Sequence, residues 1–167
     1  VIGVISIVLG VLGILHGAWS TADAILFPPM MAWLPVYDAA AGAMRDSMER
    51  WMPWQAAAGV GLTLTAGLLL AWGIGMLGRR RWSVRLAWLW IVLKVAVVTG
   101  SALVTGLQQR DQMAAMAQSG VPIPGGMSGA KAVFSAAIYW AWGVLYPAFL
   151  CGWLLRGSIR RRVARWR

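Results

Sequence analysis

Gly67-Leu-Leu-Leu-Ala-Trp-Gly-Ile-Gly-Met-Leu-Gly-Arg-Arg-Arg81 ends an apolar run on three consecutive arginines, and after Trp82-Ser-Val-Arg85 a second apolar run begins at Leu86. The first run extends back to Pro53 and the second forward to Gly106. A hydrocarbon layer roughly 30 Å thick takes about 20 apolar residues of helix at 1.5 Å each. Both runs meet that length, and the segment between them is too short and too basic for anything but a turn between antiparallel spans.

Working outward, two more runs qualify. One occupies 1–22, with room to continue to Pro28-Pro29; the other occupies 132–155. The expected spans are thus 1–22, 53–77, 86–106 and 132–155, joined by an outer loop over 23–52, a basic turn over 78–85 and a second outer loop over 107–131, with a tail over 156–167. Pro53 is expected in the opening turn of its helix, where a missing N–H costs nothing, and Pro147 is expected to kink the last span. The alternation of a membrane barrel strand is absent. Composition agrees: 60% of the 167 residues are hydrophobic and 12% charged, against about 25% charged in soluble domains. The fold class expected is an all-α integral membrane protein, one domain forming a four-transmembrane-helix bundle. The chain opens at Val1, without Met and already inside an apolar run, as if residues precede it or a leader has been removed.

Charge sets the expected orientation. Arg79, Arg80, Arg81 and Arg85 stand in the turn, and Arg156, Arg160, Arg161, Arg162, Arg165 and Arg167 in the tail, with no acid among them. All five acids, Asp23, Asp38, Asp46, Glu49 and Asp111, fall at the other ends of the spans. The positive-inside rule then places the turn and both termini in the cytoplasm, and the expected location is a bacterial cytoplasmic membrane. The net charge of +10 is read as contact with anionic lipid headgroups, about 1 kcal/mol per basic residue near the surface, and not as a nucleic-acid footprint. The arginine run followed by another span is generic among small bacterial four-helix membrane proteins and names no family.

Helix association in lipid rests on close van der Waals contact, which small residues permit. Gly3, Ser6, Gly10, Gly13, Gly17 and Ser20 form one such seam, and Ala56, Gly59, Thr63, Ala66 and Gly73 a second. These two spans are expected to make the tightest pair. The last span instead carries aromatics: Phe134, Tyr139, Trp140, Trp142, Tyr146, Phe149 and Trp153. In the first outer loop, Tyr37, Ala40, Ala41, Met44, Met48 and Trp51 share a face opposite Asp38, Arg45, Asp46, Glu49 and Arg50. That pattern predicts a short amphipathic helix lying in the interface, with Asp46 and Arg50 at ion-pair spacing. The second outer loop is expected to begin as a helical continuation over 107–119 and to end irregularly over 121–130.

Three sets of side chains are candidates for chemistry. His16, Ser20 and Asp23 fall at i, i+4 and i+7 on the first span, a polar stripe suited to a proton, a cation or a small solute, and intramembrane ionisable groups are functional candidates by default. His16 also suits a haem or chlorophyll, although one histidine supplies only one axial ligand. Met44, Met48 and Met52 stack at i+4, and soft thioethers select Cu(I); an adaptable apolar face is the plain alternative. Lys94 is the single charge well inside a span, placed to snorkel to the headgroups. The lone Cys151 excludes a disulfide framework, and no P-loop, dinucleotide fingerprint or nucleophile elbow appears. No cofactor is specified. The function expected is therefore non-enzymatic: an accessory, structural subunit of a larger membrane complex, respiratory or photosynthetic complexes being the expected kind. A small-molecule or ion transporter or binder built on the first span is the alternative, and a haem-, pigment- or copper-binding subunit a further one.

Overall fold

In a computed structural model, residues 1–31, 39–80, 82–118, 129–157 and 159 are described, and they are helical with no strand among them. The helices are α1 (Ile2–Met31), α2 (Ala39–Leu77), α3 (Trp82–Gln118) and α4 (Gly129–Leu155). All four are long and apolar enough to cross a membrane, over Ile2–Leu26, Arg45–Leu77, Trp82–Ala115 and Val133–Leu155.

Two expectations about the first outer loop change. The amphipathic stretch is not a separate helix: residues 39–52 are the first third of α2, which runs through Pro53 without a break. Pro53 therefore lies inside a helix, where it removes the N–H that would bond the Glu49 carbonyl. The amphipathic character survives as a sidedness, with Ser47 buried, Met48 and Trp51 half-buried, and Arg45, Asp46, Glu49 and Arg50 exposed. The ion pairing also differs. Arg45 Nε meets Glu49 Oε1 at 2.8 Å, while Arg50 turns to Asp111 of α3 at 3.9 Å. The same carboxylate oxygen, Asp111 Oδ2, accepts the indole N–H of Trp51 at 2.9 Å.

At about 1.5 Å per residue, the 39 residues of α2 and 37 of α3 reach about 58 and 55 Å, well beyond a hydrocarbon layer. Their extensions lie side by side, joined by Trp51–Asp111 and by Gln55 donating to Gln108. The helical continuation expected after the third span is present as far as Gln118. Of the irregular stretch expected over 121–130, Gly129 and Ala130 instead open α4, while 121–128, and Tyr37 of the amphipathic face, lie outside the described residues.

Packing follows chain order: α1 on α2, α2 on α3, α3 on α4. The first pair closes along the two small-residue seams. A Cβ added at Gly10 would stand 2.9 Å from the Leu70 backbone nitrogen, and one at Gly73 would stand 2.9 Å from the Gly3 carbonyl oxygen. Backbone so close leaves no room for any side chain. Two hydroxyls at this contact bond back into their own helices, Thr21, which faces Gly59, to the Gly17 carbonyl at 2.9 Å and Thr63 to the Gly59 carbonyl at 3.0 Å.

The buried core lies nearer the arginine end, where Leu69, Trp72, Ala87, Trp90, Ile91, Leu150 and Leu154 cluster. Trp90 donates across helices to the Thr65 carbonyl at 2.7 Å. Trp72 is fully buried and its indole N–H finds no acceptor among the described residues. The turn between α2 and α3 closes with Arg80 N–H on the Gly75 carbonyl at 3.0 Å and Arg79 N–H on the Met76 carbonyl at 3.2 Å. Arg79 adopts the left-handed conformation, φ 50°, that this helix ending requires.

Candidate functional site

α1 and α4, first and last in chain order, do not pack along their length. They meet near the arginine end, where the Ser6 and Tyr146 hydroxyls are 2.8 Å apart. Ser6 donates to the Ile2 carbonyl at 2.8 Å, so the Tyr146 O–H is left to donate to Ser6. Tyr146 also stands edge-on to Trp90, with ring centroids 5.8 Å apart.

Toward the acidic end the two helices part, and a cleft of about 160 Å³ opens between them. Every helix contributes a polar side chain: Ser20 and Asp23 from α1, Gln55 from α2, Ser101 and Thr105 from α3, Tyr139 from α4. Ala58, Leu62 and Val104 supply its apolar wall. Two of the six polar groups are tied into the protein, Gln55 to Gln108 and Ser101 to the Val97 carbonyl at 2.8 Å. Among the described residues, Ser20, Asp23, Thr105 and Tyr139 make no side-chain hydrogen bond. Asp23 is exposed and has no ion-pair partner among them.

The sequence-derived stripe is thus divided. Ser20 and Asp23 face the cleft, while His16, one turn nearer the arginine end, is exposed and does not line it. Lys94 is partly buried about a third of the way along α3 and has no acidic partner among the described residues. Met44 lies in α2 with its side chain outside the description, and Met48 and Met52 are half-buried. Among the described residues no three His, Cys, Asp or Glu side chains converge on a metal position. Arg79, Arg80 and Arg85 are exposed; Arg81, Arg160, Arg161 and Arg162 lie outside the described residues.

Gln55, Ser101, Thr105 and Tyr139 were not singled out from the sequence as site residues. Gln55 and Tyr139 carry no local mark, and Ser101 and Thr105 only their one-turn spacing on α3. Their common feature is depth on three different helices, and depth emerges only once the antiparallel register is fixed.

No family model, no curated protein and no solved structure matches the chain.

Proposed function

We propose that the chain is an accessory subunit of a larger membrane assembly, with α4 as its docking helix. The arginine turn and both termini are cytoplasmic in this proposal, by the charge asymmetry of the sequence. The observation that carries it is Trp142. Its side chain is 79% exposed, and it lies nine residues from Val133 and thirteen from Leu155, the limits of the fourth span. At about 1.5 Å per residue that is about 14 and 20 Å from the two ends, away from both boundaries where an indole N–H meets water.

Trp140, at the same depth, donates to Thr99 Oγ1 at 2.9 Å; Trp142 has no such acceptor among the described residues. An unpaired N–H in an apolar medium costs about 1–3 kcal/mol, and a neighbouring protein relieves that cost where lipid tails do not. Around it Phe134, Ile138, Leu145 and Phe149 are all more than half exposed, the kind of adaptable aromatic surface that interfaces favour. α4 is also the least buried of the four spans.

The test is a photo-crosslinking residue at position 142, combined with purification from native membranes in mild detergent. A discrete protein adduct and a stoichiometric co-purifying partner are expected. A chain that purifies alone and crosslinks only to lipid overturns the proposal.

A further inference from the structure

We propose that the cleft between α1 and α4 is a binding site for a small organic ammonium ion, a primary amine with a short alkyl body. The charge pattern selects the sign. Among the described residues of the lining Asp23 is the one formally charged side chain, with no Lys, Arg or His beside it. Arg50, the arginine nearest in sequence to Gln55, is turned to Asp111.

The hydrogen-bonding pattern selects a donor. Ser20, Asp23, Thr105 and Tyr139 have oxygens without protein partners among the described residues, and all four can accept from the three N–H bonds of an alkylammonium group. A neutral alcohol satisfies fewer of them, and a carboxylate meets Asp23 with like charge.

The apolar wall and the volume select the body. Ala58, Leu62 and Val104 offer no oxygen to a bare metal ion. Calcium takes six to eight oxygen ligands and magnesium a near-octahedral set, whereas one carboxylate and a few hydroxyls leave such an ion mostly dependent on water. An alkyl chain against the same wall removes apolar surface from water at about 25 cal/mol per Å². The Tyr139 ring adds a face on which a cation can rest. A cleft of about 160 Å³ holds a few heavy atoms, given that a water takes about 30 Å³ of liquid. It lies toward the acidic end of the spans, so a charged amine reaches it from water without crossing the hydrocarbon.

The experiment uses the purified chain in detergent, with empty micelles as the blank, and titrates propylammonium, 1-propanol and propionate by calorimetry. Saturable propylammonium binding is expected, with 1-propanol at least tenfold weaker and propionate silent. Asp23→Asn should weaken propylammonium at least tenfold and leave 1-propanol unchanged, with an unaltered thermal midpoint showing that the variant folds. Tyr139→Phe keeps the ring and should weaken binding by less than Tyr139→Leu. Equal binding of amine and alcohol, no effect of Asp23→Asn, displacement of the amine by equimolar Na⁺ or K⁺, or absence of saturable binding each overturns the proposal. Because the chain is tested alone, the outcome is independent of whether α4 docks on a partner.

Discussion

The two flanks of α1 are built on opposite terms. Toward α2 it offers glycines, and the helices approach until a single added Cβ would meet backbone. Toward α4 it touches through the Ser6–Tyr146 pair and then diverges into a cleft lined by hydroxyls, an amide and a carboxylate. On the first flank Thr21 and Thr63 bond into their own helices; on the second, Ser20, which the sequence assigned to the seam, bonds to nothing described. Close contact is what stabilises helices in lipid, since the tails are as apolar as the side chains. The α1–α2 flank therefore holds the fold, and the α1–α4 flank is free to carry unsatisfied polar groups.

The largest effect should come from breaking the close flank. Gly10→Val places a branched side chain where even the Cβ stands 2.9 Å from the Leu70 nitrogen and 3.0 Å from its Cα. Backbone cannot swing aside as a flexible side chain can, so the helices must separate. The expected loss is about 3 kcal/mol, the upper end of typical overpacking, read from reversible unfolding in mixed micelles. Gly67→Ala is the matched control, because nothing lies within 4 Å of its added Cβ. There alanine should stabilise by about 0.5–1 kcal/mol through helix propensity alone. Equal losses at the two positions would show that α1 and α2 do not approach as described.

A smaller effect is expected where α1 touches α4. Ser6 is fully buried and has its own carbonyl bond, so Tyr146→Phe removes one interhelical hydrogen bond and leaves no orphan behind. The double-mutant cycle of Ser6→Ala with Tyr146→Phe should give a coupling of about 0.6 kcal/mol, the average for hydrogen bonds between membrane helices. A coupling near zero would mean that α4 is positioned by α3 alone.

The same contrast explains what was legible in the sequence. Hydropathy and length gave four helices, and the spacing of Gly10, Gly13 and Gly17 against Gly59, Ala66 and Gly73 identified the pair that zips. Both signals are local, repeated and tied to one physical requirement. The merger of the amphipathic stretch with α2 was not legible, because a proline at 53 marks a helix start in most contexts and its tolerance here depends on α3. Of the three residues of the polar stripe, Ser20 and Asp23 face the cleft. His16 was grouped with them on angular position, but its side chain is exposed and the α1 lining of the cleft begins one turn further on, at Ser20. Of the four residues contributed by the other helices, Gln55 and Tyr139 carry no local signal, and Ser101 and Thr105 only their i,i+4 spacing.

The smallest effect should come from the cleft, and its smallness is informative. Ser20→Ala and Thr105→Val each delete a hydroxyl that bonds to nothing described in the protein. Both side chains are partly accessible, so neither change creates a sealed cavity. Stability should move by no more than about 0.5 kcal/mol, the range for substitutions away from tight packing. Polar groups at this depth are tolerated only if something outside the helices satisfies them or if they remain wet. A loss above about 1 kcal/mol from either change would mean that the hydroxyl is tied into the fold. The second flank of α1 would then be an ordinary helix contact like the first, and a null result keeps the two flanks distinct.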